Sequence, residues 1–399
     1  MTVPKQLKAA FASIRDGSEQ VVRLIEQAPQ GAVPSFSYRT GGYPRAARYD
    51  PDQWATFQWA GFLAGRLWLT AAHFDDQRMA QAARTVSRVV GDTLSARPPR
   101  FSAAGSDLFY AVCLGARVTA DESLVDSALA ATRQYAKNFV PRLNAFLQVP
   151  GVNRAVIDTG LNLLPFYWAA AYDPVLIDFA VKHNRALLDA GIVRADGSVF
   201  QAIEFEEGTN TVRNRYSMQG YADDTTWARG QSWAMHNYVN AFEATGEQDF
   251  LDVARAASRW YVDHLPQDHV AFYDFGDPNR PHVPRDSCSA AISANALLKL
   301  AALDPESTEW AAPAATAIIT ELLAGYLSPG GVLLHSSWGR LPAEKAGAGI
   351  SRFPLEDVMP YGNYWIVEAL FRCLHDDSSP LLALSTPSAY ERPKENSPS

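Results

Sequence analysis

Between residues 220 and 242 the chain reads GYADDTTWARGQSWAMHNYVNAF, which sets Trp227, Arg229, Gln231 and Trp233 close together. At helical spacing Arg229 and Trp233 share one face while Trp227 and Gln231 share the next, so a planar cation and an aromatic wall point the same way. Sugars present weakly polar faces that stack on aromatic rings, and hydroxyls that seek Asp, Gln and Asn, so this combination suits carbohydrate recognition. The plainer account is core filling. A chain with 10 Trp allows it, and one of Trp59, Trp227 and Trp233 is expected to be core alone. Two readings of Arg229 stay open: a counter-charge for an acidic ligand, or a salt bridge to Asp223 or Asp224.

The elements that must hold these residues are helices. DDTT reads as a helix start, because Asp and Thr accept hydrogen bonds from first-turn amides. Met235, Tyr238, Val239 and Phe242 then recur at three- and four-residue spacing as one buried stripe. The same periodicity predicts helices near 3–27, 53–73, 76–94, 106–118, 121–137, 158–171, 174–189, 226–245, 248–264, 287–302, 306–325 and 363–375. Strand-like runs are confined to 270–276 and 330–337, and no fixed-period repeat marks a regular solenoid.

Alternate helices differ in composition. Those containing WAGFLAGRLW, SCSAAISANALL and YGNYWIVEAL are rich in Trp, Gly, Ala and Ser, as helices packed on both sides require, whereas QRMAQAARTVSRVV carries charge on one face. Such pairs close most simply into an all-α (α/α)6 barrel with every inner helix starting at one end. Trp54 and Trp59, Ser106 and Asp107, Asp158 and Asn162, Trp227 and Arg229, Asp286 and Ser287, and Tyr361 and Asn363 then converge on one mouth. Asp286 and Ser287 are better read as N-caps.

The 399 residues are 47% hydrophobic and 20% charged, which suits one large domain. Residues 1–376 are taken as that domain. The Pro- and Ser-rich stretch 377–399 has the composition of a disordered tail. A net charge of −8 without basic runs argues against nucleic acid or an anionic membrane surface as partner. Cys113, Cys288 and Cys373 show no metal spacing and suggest free thiols. No apolar leader or spanning stretch is evident, so a cytoplasmic monomer or small homo-oligomer is expected. The eight His form no metal motif, and no metal or other cofactor is called for.

Taken in order, SDLFY, VIDTGLNLLPFYWAA, DGSVFQAIEF, GYADDTTWARGQSW and YGNYWIVEALFR resemble the unsaturated glucuronyl hydrolase family, glycoside hydrolase family 88, over roughly residues 50–375. The resemblance implies an (α/α)6 barrel acting on oligosaccharides left by polysaccharide lyases, whose non-reducing end is a 4,5-unsaturated uronic acid. It implies Asp158 as catalytic acid/base and Asp107 as the second carboxylate. Trp59, Gln219, Trp227, Arg229 and Trp233 fall on substrate contacts, and Gln201 falls with them. Ser106 and Gln201 stand where many members have His, which leaves the preferred sugar, its linkage and its sulfation open.

The implied chemistry is hydration of a vinyl ether: a neutral Asp158 protonates C4, water adds at C5, and the hemiketal expels the remaining chain. Asp107 is the anion expected to hold the proton on Asp158. A conventional inverting glycosidase and a non-catalytic oligosaccharide-binding toroid remain as alternatives. A helical-barrel epimerase would want His at the mouth. A terpene-type synthase would need a third acid where Trp227 stands.

Overall fold

The computed structural model describes residues 3–37, 41–52, 57–149, 151–339, 358–375 and 381–384, without the side chains of residues 3, 4 and 57–59. Trp54 and the side chain of Trp59 therefore lie outside the described residues.

Helices alternate between an inner and an outer ring. The inner set is Phe57–Phe74; the continuous run Ala104–Asp107, Leu108–Cys113 and Leu114–Thr119; Ile157–Leu163 with Leu164–Ala169; Ala228–Thr245; Ser287–Leu303; and Pro360–His375. Each packs on the next, and Pro360–His375 packs on Phe57–Phe74 to close an (α/α)6 barrel. Val3–Gln27, Gln77–Ala96, Glu122–Ala136, Ile177–Asp189, Gln248–Asp263 and Ala311–Glu321 lie outside it. Composition explains the division. Gln77–Ala96 buries Met79, Ala82, Ala83, Val86, Val90 and Leu94 along one stripe, whereas Ala228–Thr245 is buried all round, from Ala228 through Ala241.

Two inner helices depart from α geometry where the mouth is built. Ile157–Leu163 is 3-10 and Leu108–Cys113 is π-helical, and both forms are common beside functional sites. Close approach also needs glycine. A Cβ on Gly61 would stand 2.4 Å from the Cα of Asp107.

A three-stranded antiparallel sheet, Arg154–Val156, Ala202–Phe205 and Val212–Tyr216, lies beside the mouth. A hairpin of Ala32–Ser37 and Gly42–Arg48 follows the first helix. Neither was expected, because strands this short give no alternation to read, and Arg154 pairs with Glu204 far along the chain. The runs expected as strands form isolated bridges instead, Phe272 with Arg285 and Leu327 with Leu333.

The DDTT helix start is corrected. Residues 223–226 form a turn and the helix begins at Ala228, whose N–H donates to the Tyr273 carbonyl at 2.9 Å, so backbone pairing replaces a side-chain cap. The composition-based tail is corrected at one place: Leu382 and Leu384 are buried, the Leu384 amide donates to Glu243 at 3.0 Å, and Arg117 donates to the Leu384 carbonyl at 3.1 Å. Among the described residues no helix is long and apolar enough to cross a membrane.

Candidate active site

Four of the six inner-helix starts bring their singled-out residues together, while Asp286 and Ser287 do not line the cavity. Ser106, Asp158, Asn162, Trp227, Arg229 and Tyr361 line one cavity of about 170 Å³, joined by Gln219, Trp233 and Trp338. That is below the several hundred Å³ of a drug-sized site and suits one sugar ring with the rest of the chain outside.

Asp158 reaches this cavity because the sheet delivers it. The Ile157 amide donates to the Gln201 carbonyl at 2.9 Å, extending the ladder to the residue before Asp158, where the 3-10 turn begins. Burial pushes the Asp158 carboxyl up to about 6, opposed by Arg229, by its own backbone amide and by hydrogen bonding from Gln201. Its Oδ2 is shielded and has no hydrogen-bond partner, so a proton carried there is not tied up by the protein.

Asp107 is placed differently from expectation. It is fully buried behind Ser106, with Oδ1 accepting from the Gly61 amide at 2.6 Å and Oδ2 from the Tyr49 hydroxyl at 2.9 Å. It is not on the cavity wall. Burial raises its carboxyl well above the ordinary range, against the pull of Gly61 and Tyr49. The proton on Asp158 is thus favoured by burial, and the expected electrostatic support from Asp107 is not what raises it. Burial holds the Tyr361 hydroxyl well above its ordinary range, with Arg229 opposing and Asp158 and Asp107 adding to the rise.

Arg229 is paired, but with neither expected acid. Asp223 and Asp224 are exposed while Arg229 is buried, and it binds Asp286 at 2.8 Å. It also donates to the carbonyls of Ser337 and, at 3.2 Å, Trp338, and it lies 4.6 Å from the Trp227 ring. Asp286 does cap its helix, accepting from Ser289 at 3.3 Å, while Ser287 turns to the Leu334 carbonyl. Trp227 and Trp233 both border the cavity despite being buried. Gln231 faces away, donating to the carbonyls of Gly197 and Ala257.

Gln201 is corrected from wall to support. It is 1% exposed. Its Oε1 accepts from the Met218 and Gln219 amides at 2.9 and 2.8 Å, which forces Nε2 to be the donor toward Gln219 Oε1 at 2.7 Å. Gln219 Nε2 then donates to the Trp338 carbonyl at 2.6 Å. Arg154 and Trp338 border the cavity but were not singled out. Trp338 stands in the HSSWGR run beyond the helices, and only its aromatic type signalled it.

A toroid of paired helices with an aromatic cavity and one raised carboxyl defines a carbohydrate-active hydrolase of the (α/α)6 class. No family model matches the chain. It is 30% identical over 367 residues to an unsaturated glucuronyl hydrolase of Bacillus sp. (strain GL1), covering 84% of this chain and 90% of that one. The chain belongs to the unsaturated glucuronyl hydrolase family. A Formosa agariphila protein of the same name is 30% identical over 225 residues, 54% of each chain, so the match spans about half that relative's length. An unsaturated glucuronyl hydrolase structure specific for heparin superimposes with a TM-score of 0.79 at 22% identity, covering 95% of this chain and 100% of that one. A Streptococcus agalactiae structure complexed with dGlcA-GalNAc6S gives 0.69 at 18%, covering 94% and 96%.

Proposed function

We propose that the protein releases the 4,5-unsaturated uronic acid from the non-reducing end of lyase-generated oligosaccharides, with Asp158 as the acid. The observation that carries this reading is the Asp158 carboxyl: on the cavity wall, raised to about 6 by burial, with Oδ2 unpartnered. Roughly a tenth of the molecules hold this proton at pH 7, and more below it.

The proton passes from Asp158 to C4 while the C4=C5 π electrons form the new C–H bond. The cation left at C5 is shared with the ring oxygen, so a water adds there and returns its proton to the Asp158 carboxylate. The C5 hemiketal opens to a ketone and leaves C1 as a hemiacetal, which collapses to an aldehyde on the released uronate while the remaining chain departs as an alcohol, its glycosidic oxygen taking the proton. Trp227, Trp233 and Tyr361 supply the stacking faces, and Gln219 a polar contact. Arg229, held within range of Asp158, keeps positive potential beside the uronate carboxylate even while paired with Asp286. Asp107 shapes the wall from behind through Gly61. The same reading takes the protein as a cytoplasmic monomer or small homo-oligomer, consistent with free thiols at Cys113, Cys288 and Cys373.

Turnover is followed as loss of the ultraviolet absorbance of the conjugated double bond. In deuterium oxide the product must carry deuterium at C4. Release of sugar without that label would place attack at the anomeric carbon and replace this reading with an inverting glycosidase.

A further inference from the structure

Asp158 stands second in the 3-10 turn Ile157–Leu163. Gln201 hydrogen-bonds its carboxyl from one side, and Oδ2 has no partner. The reaction asks this carboxyl to serve C4 and then the water at C5, so much of its aim has to come from the backbone that carries it. A 3-10 turn has poorer hydrogen-bond geometry than an α-helix and holds its own shape weakly.

Asn162 braces that backbone. Its Nδ2 donates to the Asp158 carbonyl at 3.1 Å, and its Oδ1 accepts from the Ser106 amide at 2.8 Å. A backbone N–H can only donate, so Oδ1 must face Ser106 and Nδ2 the carbonyl. Ser106 belongs to Ala104–Asp107, the start of the neighbouring inner helix, and directly precedes Asp107. One carboxamide therefore ties the turn of the acid to the segment that carries the second carboxyl. The two segments meet at glycine distance: a Cβ on Gly105 would stand 2.3 Å from the Asn162 carbonyl oxygen and 2.8 Å from its Cα. Both side-chain bonds of Asn162 go to backbone groups, so its action on Asp158 is geometric.

We propose that Asn162 is a positioning residue for the hydration step: its carboxamide locks the Asp158 carbonyl to the Ser106 amide and thereby sets the angle at which the Asp158 carboxyl meets the reacting ring. The inference rests on the hydrolase reading above. A shift of the acid by about 1 Å is enough to cost on the order of a hundredfold in rate. Asn162 also borders the cavity, so direct contact with substrate is the rival account that the experiment has to separate.

The test is Asn162→Ala, assayed per folded molecule on an unsaturated disaccharide. Its kcat should fall about 10- to 100-fold while KM changes less than about twofold, and the basic limb of the pH–rate profile should keep its midpoint. Asn162→Asp keeps the acceptor for Ser106 but sets an oxygen against the Asp158 carbonyl. Its kcat should fall at least as far, and its limb should move upward because a new carboxylate opposes ionisation of Asp158. Hydrogen exchange gives a readout apart from turnover: the amides of 157–163 should exchange faster in either variant than in the parent. A raised KM with kcat preserved overturns the proposal in favour of substrate contact, and so does an unchanged kcat or an unchanged exchange pattern. Should Asn162→Ala fail to fold, Asn162→Asp decides by the same kcat and exchange criteria. If the parent turned over no unsaturated substrate, the hydrolase reading would fail instead, while exchange would still decide whether Asn162 braces the turn.

Discussion

Arg229 and Asp286 form a fully buried ion pair at 2.8 Å that joins the starts of two adjacent inner helices. Asp286 thereby serves as helix cap and counter-charge at once, and burial of both partners makes either charge costly alone. Asp286→Ala should destabilise by about 3–5 kcal/mol, because it strands a buried guanidinium. Urea unfolding should show a lower midpoint with an unchanged slope. A loss below about 1 kcal/mol would mean that Arg229 finds other support, for instance the carbonyls of Ser337 and Trp338.

Asp158→Asn should abolish turnover while substrate still binds, since the amide keeps shape but delivers no proton. In the parent enzyme the working form is neutral. Activity should be full below the raised pKa and fall about tenfold per unit above pH 6. A pH–rate profile flat from 5 to 8 would remove Asp158 as the acid.

The same carboxyl makes a stability prediction of definite sign. Its folded pKa lies above its unfolded value of 3.8, so between those values the folded state binds the extra proton and stability falls as pH rises through the window. A shift of that size corresponds to up to about 3 kcal/mol. Asp158→Asn should be the more stable protein at pH 7 and lose the advantage near pH 4. Equal stabilities at both pH values would contradict the burial that raises the group.

The helices were legible in the sequence because long periodic segments average over many residues, as the stripe through Met79, Val86 and Val90 illustrates. Convergence of Asp158, Trp227 and Arg229 followed from one topological argument about inner-helix starts. Partnership did not. Asp286 lies 57 residues from Arg229, and nothing local prefers it over the adjacent Asp223 and Asp224. The sheet that carries Arg154 and orders Gln201 escaped for the same reason, its pairing being nonlocal and its strands too short to show a period.

Gly61→Ala tests how Asp107 is held. The added carbon would stand 2.4 Å from the Asp107 Cα and 2.8 Å from its Oδ1, where no flexible chain end can yield. Overpacking here should cost about 1–3 kcal/mol or more. Tyr49→Phe removes only the 2.9 Å hydrogen bond and should cost less. The reverse order in thermal unfolding would show that the hydroxyl, and not the close helix approach, fixes Asp107.

Gln201 offers the sharpest distinction between support and contact. Two backbone amides fix its orientation, so it can act on Asp158 only as a donor, and a donor favours the carboxylate over the acid. Gln201→Ala removes the donor and should move the basic limb of the pH–rate profile upward. Gln201→Glu should move it further, because a second carboxylate beside Asp158 opposes its ionisation. Both variants also release Gln219, which borders the cavity and is aligned by the 2.7 Å bond from Gln201, so KM should rise as well. Gln219→Ala separates the effects: it should raise KM while leaving the limb in place. A limb that stays fixed in all three variants, with only KM changing, would make Gln201 a support for substrate binding alone and leave Asp158 governed by burial and Arg229.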